Sequence, residues 1–276
     1  WKKSATGWEN DMEKTEALLQ KLRSYPSLAV ALSGGVDSSV LTRAAVLALG
    51  ERAVAVTASS ELLAAEELAD AKAVAALAGI RHEILPAHDL AVPELVANDA
   101  ERCYYCKKSR FTAMLAWAGA EGYAYVAEGS NLDDRGDYRP GMRAVAALPH
   151  VVSPFMECGW TKADIRRQAR EWELPVWDKP SAACLASRIE YGISITAGRL
   201  QQVERAERVL RAWSHGQLRV RHHGLIARIE AEVSQFAKLA DPEVAADISQ
   251  KLKTLGFSFV TLDLTGYRMG SLNETL

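Results

Sequence analysis

The stretch Ser27–Leu49 constrains the fold of this chain more than any other. A short apolar run ends in Ser-Gly-Gly-Val-Asp-Ser at positions 33–38 and passes directly into a segment of helical periodicity. This order predicts a strand, a glycine loop and a helix. Gly34 and Gly35 can adopt positive φ and carry no Cβ, so backbone N–H groups can converge on an anion at the helix N-terminus. The stretch therefore predicts a phosphate-binding loop.

The loop sequence separates classes of nucleotide site. Neither the Walker string Gly-x-x-x-x-Gly-Lys-Ser/Thr nor the dinucleotide string Gly-x-Gly-x-x-Gly follows this strand. Ser-Gly-Gly-x-Asp-Ser instead resembles the PP-loop of ATP pyrophosphatases, which implies that ATP is split between its α and β phosphates and that AMP is attached to a substrate oxygen. Ser33, Gly34, Gly35, Asp37 and Ser38 become candidate ATP- and pyrophosphate-binding residues. A plain Gly-Gly turn is the alternative.

The loop has no lysine, so the charge of the pyrophosphate has to be neutralised in other ways. The candidates are the loop N–H groups, Mg²⁺ and basic residues elsewhere in the chain. Asp37, the acid of the loop, is the candidate for organising the metal and for a catalytic role.

Strand-like and helical patterns alternate through the first half of the chain, which predicts an α/β fold with a parallel sheet and helices on both faces. Predicted strands cover residues 53–58, 81–85 and 123–127, and predicted helices cover residues 9–24 and 61–78. Ligands of such sheets bind at the carboxyl ends of the strands, which adds Thr57 and Gly129 to the candidate ATP-binding residues. For the loop 128–139, which contains Gly129, a solvated loop is the alternative.

The regular alternation of strand-like and helical patterns stops at residues 174–192, which contain two prolines and no sustained periodicity. This stretch is predicted to be a functional loop at a domain boundary. Residues 1–178 are predicted to form a PP-loop ATP pyrophosphatase domain, and residues 179–276 a small α+β domain. A helix over residues 162–172 precedes the boundary. After the boundary, the sequence predicts a helix over residues 196–213 and strands over residues 217–222 and 225–231. A helix from residue 241 onward and a strand over residues 257–264 follow.

The chain has four cysteines, too few for a disulfide framework in 276 residues. Cys103 and Cys106 are spaced to share one face of a helix or turn, as metal thiolates must. A thioredoxin-like redox pair, half of a zinc site and two packed thiols are alternatives. With Cys184 in the predicted boundary loop as a third thiolate, the set meets the requirement of a [4Fe–4S] cluster with one open iron that carries sulfide. Cys158 is predicted to be an ordinary buried residue.

Bulk composition narrows the class of protein. The formal net charge is −2, which argues against a chain whose main partner is long nucleic acid. No apolar run reaches the roughly 18 residues of a membrane span, and the first residues carry no apolar signal segment. We expect a cytoplasmic protein without a membrane partner.

Several motifs together resemble the LarE family, ATP-dependent sulfurtransferases that build the nickel-pincer nucleotide cofactor of lactate racemase. The matching stretches are the PP-loop, residues 152–166, residues 174–192, Arg219–His222 and Ala227–Glu230. The resemblance implies adenylation of a carboxylate of pyridinium-3,5-biscarboxylic acid mononucleotide, followed by sulfur delivery to give a thiocarboxylate, once on each carboxylate. It also implies homo-oligomers built from trimers and, as a further partner, a sulfide or sulfur donor.

One feature divides the family. Some members use a single cysteine, at the position of Cys184, as a sacrificial sulfur donor that becomes dehydroalanine. Others have three cysteines and are thought to relay sulfide through a [4Fe–4S] cluster. Cys103 and Cys106 favour the second chemistry for this chain, and the sacrificial role of Cys184 is the alternative.

The substrate carries a phosphate and carboxylates, so the site needs cationic side chains. Arg219 and Arg221 alternate along a predicted strand, where they could clamp a phosphate; a solvated strand face is the alternative. Ser187 and Arg188 follow Cys184 closely enough to orient the substrate. The family match adds Glu207 and Glu230 near the substrate or metal, with a solvent-facing Glu207 as the alternative.

Other classes of protein share the loop. A tRNA thiolase needs an extended basic surface, which the acidic balance disfavours. An amidase of the NAD or GMP synthetase type has no use for three cysteines. A nucleotide-sensing module would keep the loop and do no chemistry.

Overall fold

The computed structural model describes residues 5–136, 140–180 and 183–275. Residues 137–139 of the predicted loop after the fourth strand, and Ser181 and Ala182 of the predicted Cys184 loop, lie outside the described residues. The described strands are β1 (Leu28–Ala31), β2 (Ala53–Ser59), β3 (His82–Pro86), β4 (Tyr125–Ala127), β5 (Val151–Val152), β6 (Leu218–His223), β7 (Ile226–Ala231) and β8 (Phe259–Leu262). The described helices are α1 (Ala5–Arg23), α2 (Val36–Leu49), α3 (Ala65–Ala78), α4 (Pro93–Ala97), α5 (Arg102–Ala120), α6 (Pro140–Ala146), α7 (Pro154–Glu157), α8 (Lys162–Glu171), α9 (Ala197–Leu210), α10 (Phe236–Leu239) and α11 (Pro242–Thr254).

The described chain divides into two compact units that interleave in sequence. The first contains the described residues of Trp1–Ser60, Ala65–Ala87 and Cys103–Ser181. The second contains those of Glu61–Ala64, His88–Arg102 and Ala182–Leu276. The predicted domain boundary at residues 178 and 179 stays a prediction.

The first unit is built on a parallel sheet. Among its described residues, five strands pair in the order β3-β2-β1-β4-β5. Alternate residues of β1 enter two different cores: Leu28 and Val30 pack with α1, α2, α3 and α8, and Ala29 packs with α5 and α6. Helices thus cover both faces of the sheet, and the prediction of an α/β fold is confirmed.

The second unit has a smaller sheet. Three described strands pair in the order β6-β7-β8, with β6 antiparallel and β8 parallel to β7. Apolar residues of α9 and α11, among them Leu210 and Leu252, form one core with Leu218 and Ile229 of the sheet. The predicted small α+β architecture is confirmed. None of the described helices has the length and apolar character that crossing a membrane requires.

Candidate active site

The loop Ser33–Ser38 joins β1 to α2, as its sequence predicts. The Ser38 hydroxyl lies 3.1 Å from the Ser33 N–H, from the Ser33 hydroxyl and from the Gly35 carbonyl oxygen. The Ser39 hydroxyl also donates to the Gly35 carbonyl, at 2.8 Å. These bonds fix the turn just ahead of α2, where a helix leaves its first N–H groups without helical acceptors. The geometry suits an anion such as a phosphate group.

At two positions around this loop, neighbouring atoms come so close that a side chain larger than that of glycine would force them apart. Gly34 has a φ of +79°, and an added Cβ would lie 2.3 Å from the Glu67 carbonyl oxygen of α3. At Gly129, which follows β4, an added Cβ would lie 3.2 Å from both the Asp37 Cβ and the Ser38 nitrogen. The loop after β4 therefore lies directly against the candidate nucleotide loop.

The positive charge that the loop lacks is supplied by α8. Lys162 is the first residue of this helix, and its ammonium group forms an ion pair with the Asp37 carboxylate. The other Asp37 oxygen accepts a hydrogen bond from the Asn131 amide at 3.4 Å, and the Lys162 N–H donates to Asp133 at 2.8 Å. Sequence reasoning missed Lys162 because 125 residues separate it from Asp37. The available signals were the predicted helix start and the position of Lys162 within the family-matching stretch 152–166.

A capping box fixes the start of α8. One Asp164 carboxylate oxygen accepts from the Thr161 N–H at 3.0 Å and the Thr161 hydroxyl at 2.7 Å. Lys14 and Arg167 also donate to this carboxylate, at 2.7 and 2.8 Å. Burial alone would raise the pKa of Asp164, but the hydrogen bonds from Lys14, Thr161 and Arg167 outweigh it and hold the pKa well below its usual range. The helix that carries Lys162 is therefore anchored by an ionised, saturated carboxylate.

Two further polar side chains lie near the loop: Thr57 belongs to β2, and Lys179 follows α8 in the chain. The buried Thr57 hydroxyl is 2.6 Å from the Leu32 carbonyl oxygen and 2.8 Å from the His82 Nε2. The Lys179 ammonium group lies 3.3 Å from the Gly34 carbonyl and 2.5 Å from Asp70. Its burial lowers the Lys179 pKa, but the carboxylates of Asp70 and Glu67 outweigh this and raise it, so Lys179 stays charged beside the loop. The Thr57 hydroxyl is already paired with Leu32 and His82, whereas Lys179 adds a second cation near the loop.

Cys103 and Cys106 lie one turn apart near the start of α5 in the first unit. Both side chains are half-buried, and neither forms a disulfide. Gly141 of α6 packs on this turn, because an added Cβ would lie 3.2 Å from the Cys103 carbonyl oxygen and 3.0 Å from the Lys107 side chain. The helix brings both thiols to one face, as the spacing predicts.

Cys184 precedes a 3-10 helix, Leu185–Arg188, in the second unit. Its carbonyl oxygen accepts from the Ser187 hydroxyl at 2.7 Å and from the Arg188 guanidinium at 3.0 Å. Arg188 is buried and also pairs with Glu207, Nε to Oε1 at 3.0 Å. Glu207 accepts from the Val220 N–H at 3.1 Å as well. The alternative that Glu207 faces solvent is therefore wrong, and Cys184, Ser187, Arg188 and Glu207 form one cluster.

Arg219 and Arg221 are each only 5% exposed, so the alternative of a solvated strand face is wrong. Arg221 pairs with the fully buried Glu230 through Nε and Nη2, at 2.9 and 2.8 Å, and donates to the Ser187 carbonyl at 3.0 Å. The Arg219 guanidinium lies 5.3 Å from the centre of the Tyr267 ring. The arginines are thus embedded in the unit rather than displayed on its surface.

Positive charge is concentrated in this part of the second unit. Burial lowers the pKa of Arg219, and the charge of nearby Arg188 lowers it further. Glu230 balances part of the charge through Arg221 and, at 3.1 Å, through Arg228. Ser271 completes the surroundings of Glu230 by donating to it at 2.6 Å. Binding of an anion here would relieve the repulsion among the arginines.

The donor groups can be compared with the two metals that the family resemblance implies. The Asp37 carboxylate beside a phosphate-binding loop matches the oxygen ligands that Mg²⁺ prefers. Thiols are the ligands of iron–sulfur clusters, and the pair on α5 has suitable chemistry. However, no group of three or more His, Cys, Asp or Glu side chains within residues 5–136, 140–180 and 183–275 is arranged to hold a metal ion. Cys103 and Cys106 belong to the first unit and Cys184 to the second.

Comparison with known proteins extends the assignment beyond this geometry. Residues 15–107, which include the loop, match the asparagine synthase family model. Over 263 residues the chain is 41% identical to an uncharacterized protein of Synechocystis sp., covering 95% of this chain and 98% of that protein. Over 267 residues it is 34% identical to pyridinium-3,5-bisthiocarboxylic acid mononucleotide synthase of Lactiplantibacillus plantarum, covering 95% of each. An uncharacterized protein of Methanocaldococcus jannaschii is 32% identical over 177 residues, which cover 64% of this chain and 68% of that protein. The phosphate-binding loop and a full-length similarity at this identity together establish that the chain belongs to the LarE family of ATP-dependent sulfurtransferases.

Proposed function

We propose that this chain adenylates a carboxylate of pyridinium-3,5-biscarboxylic acid mononucleotide and converts it to a thiocarboxylate, once on each carboxylate, for the biosynthesis of the nickel-pincer nucleotide cofactor. The observation that carries the proposal is the Ser33–Ser38 loop with Lys162 paired to Asp37. The 34% identity over 95% of both chains to a synthase of the bisthiocarboxylic acid product supports the choice of substrate.

In the first half-reaction a substrate carboxylate oxygen attacks the α-phosphorus of ATP, and pyrophosphate leaves. We assign the N–H groups of the loop and Lys162 to the departing phosphates, whose negative charge increases as the bond breaks. Asp37 would hold Mg²⁺, which supplies further charge neutralisation when bound. Because Asp37 and Lys162 neutralise each other before ATP arrives, neither charge has to be buried alone in the empty site.

We assign substrate binding to the cluster around Cys184 in the second unit. Arg219 and Arg221 would hold the phosphate of the mononucleotide, since guanidinium groups match phosphate oxygens in pairs. Ser187 and Arg188 would orient the acyl adenylate, and Glu207 and Glu230 would keep the arginine side chains in place through their ion pairs.

In the second half-reaction a sulfur nucleophile attacks the acyl carbon, and AMP leaves with the oxygen that was activated. We propose that Cys103, Cys106 and Cys184 hold a [4Fe–4S] cluster, which when bound supplies sulfide. The alternative is that the Cys184 thiolate attacks to form a thioester, after which loss of the Cα proton and cleavage of the Cβ–S bond release the thiocarboxylate and leave dehydroalanine. The ultimate donor is then a sulfide source in the first case and the chain itself in the second.

One experiment tests the reaction and separates these routes. Anaerobically purified protein is incubated with ATP and the pyridinium dicarboxylate mononucleotide, and pyrophosphate, AMP and thiocarboxylate are measured. We expect pyrophosphate release that depends on the substrate and a product heavier by the replacement of oxygen by sulfur. Iron and sulfide analysis before turnover and mass spectrometry of the Cys184 peptide afterwards identify the route. No pyrophosphate release with this substrate would overturn the proposed function.

A further inference from the structure

Two buried polar residues of the second unit take no part in the chemistry assigned above. Asn98 has no exposed surface and Arg102 is 5% exposed. Both belong to the stretch His88–Arg102, which precedes the thiol pair in the chain. Buried polar side chains are costly unless each is matched by partners, so the partners of Asn98 and Arg102 indicate what these residues hold in place.

Asn98 binds the segment that follows the 3-10 helix. It adopts a left-handed backbone conformation, with a φ of +58°, at the end of α4. Its amide nitrogen lies 2.8 Å from the Glu190 carbonyl, 2.8 Å from the Ile193 carbonyl and 3.4 Å from the Ile189 carbonyl. The main-chain carbonyl oxygen of Asn98 accepts a hydrogen bond from the Gly192 N–H at 3.0 Å. One side chain thus satisfies several backbone groups of residues 189–193.

Arg102 binds the 3-10 helix itself. Its Nη1 atom lies 2.6 Å from the Asn98 side-chain oxygen and 3.1 Å from the carbonyl oxygen of Ala186, two residues after Cys184. Its guanidinium group lies 5.0 Å from the centre of the Tyr191 ring. The Leu185 N–H donates to the Leu62 carbonyl at 3.0 Å, which adds a third attachment of this segment within the second unit.

We propose that Asn98 and Arg102 are positioning residues that hold the Cys184 segment for sulfur transfer. Together they bind the carbonyl group of residue 186, between Cys184 and Ser187, and those of residues 189, 190 and 193, which follow Arg188. Arg102 also directly precedes Cys103 in the chain, so the helix with the thiol pair begins at the residue that holds the Cys184 segment. The inference rests on the proposed function for its catalytic consequence, whereas its structural content concerns the Cys184 segment alone.

The test compares Arg102→Met, Arg102→Lys and Asn98→Ala with a matched control, Arg52→Met. Arg52 also donates to a backbone carbonyl, that of Pro26 at 2.9 Å, in the first unit. We expect Arg102→Met to lower the thiocarboxylate formed per pyrophosphate about tenfold or more, because displacement of the Cys184 segment slows the second step more than the first. Arg102→Lys should recover part of that ratio, and Arg52→Met should leave it unchanged.

A second readout does not depend on turnover. Native iodoacetamide labelling, followed by mass spectrometry, should modify Cys184 about threefold faster or more in Arg102→Met and Asn98→Ala, because local opening exposes the thiol, while Cys158 serves as the internal reference and keeps its rate. Unchanged Cys184 labelling, or an equal loss of pyrophosphate release and thiocarboxylate, would overturn the inference. If the wild-type chain releases no pyrophosphate, the proposed function fails, and the labelling rates still decide on the positioning role. If Arg102→Met does not fold, Arg102→Lys is judged by the same two criteria.

Discussion

Gly129 packs closely against the nucleotide loop. An alanine Cβ there would lie 3.2 Å from the Asp37 Cβ and the Ser38 nitrogen, so the loop would have to shift. We expect Gly129→Ala to lower substrate-dependent pyrophosphate release about tenfold, since small displacements of reacting groups are costly. The control is Gly119→Ala in α5, where an added Cβ meets nothing within 4 Å. That change should leave the rate unchanged and raise the free energy of unfolding by up to about 1 kcal/mol. Equal rates for both variants would contradict the tight packing at Gly129.

The pair of Asp37 and Lys162 is the second test at this scale. Without Lys162, the Asp37 carboxylate would repel the phosphates of ATP, and we expect Lys162→Met to raise the KM for ATP about tenfold or more. Asp37→Ala should abolish pyrophosphate release, because the loop loses its acid. In a double-mutant cycle with Asp37→Asn the two effects on ATP affinity, measured by calorimetry, should not add, since the groups are in contact. Lys251→Met, which removes an exposed pair with Asp247, is the control. Additive effects would mean that the two residues act independently.

The sequence is informative at this scale where the chemistry is local. The serines and glycines of the loop lie within six consecutive positions, and their spacing carries the prediction. Lys162 and the pairs of Arg188 with Glu207 and Arg221 with Glu230 join residues far apart in the chain. Whether such a charged residue is paired or solvated depends on the packing of whole elements, and the local pattern of Arg219 and Arg221 fits both cases.

At the scale of elements, the capping box of α8 connects stability to the site. Asp164→Ala removes the acceptor for Thr161, Lys14 and Arg167, and we expect it to lower the free energy of unfolding by about 1–2 kcal/mol at neutral pH. The pKa of Asp164 is held below its unfolded value, so its contribution is complete above that value and is lost as the pH falls. The difference between wild type and variant should therefore shrink below about pH 4 in urea titrations.

The control for this prediction is Asp247→Ala. Asp247 pairs with Lys251 on the exposed face of α11, and such pairs contribute about 0.5 kcal/mol or less. Because α8 carries Lys162, the Asp164→Ala variant should also bind ATP more weakly, whereas Asp247→Ala should not. A stability difference at pH 3 as large as that at pH 7 would show that the carboxylate charge of Asp164 is not what anchors the helix.

Element boundaries depart from the sequence where tertiary contacts decide them. The predicted helix over residues 61–78 begins only at Ala65, and the Leu62 carbonyl ahead of it accepts a hydrogen bond from the distant Leu185 N–H. The strand β5 is two residues long and lies in no predicted strand, since no periodicity can be read from two residues. The longer predicted strands and helices of the parallel sheet agree with the structure within a few residues.

At the scale of the whole molecule, the alternation of strands and helices was enough to predict a parallel sheet, but not which unit each stretch joins. Residues 88–102 follow β3 without any change of composition that marks a boundary, yet they belong to the second unit. The partners that assign them there, such as the Ile193 carbonyl for Asn98 and the Val96 carbonyl for the Ile195 N–H, lie about 95 to 100 positions further along the chain. Contacts between residues so far apart cannot be read from the local pattern, so no signal in the sequence indicates that residues 88–102 join the second unit.

This interleaving predicts how the chain responds to truncation. A fragment of residues 1–181 keeps Asn98 and Arg102 but loses the segment whose carbonyl groups they bind, so both buried side chains lose hydrogen bonds. We expect the fragment to aggregate, or to unfold well below the intact chain when followed by circular dichroism. The matched control is the same fragment with residues 88–102 replaced by a polar linker of equal length, which removes both side chains and should remain more soluble. A fragment 1–181 as stable as the intact chain would mean that residues 88–102 do not need the rest of the second unit. The positioning role of Asn98 and Arg102 would then lose its structural basis.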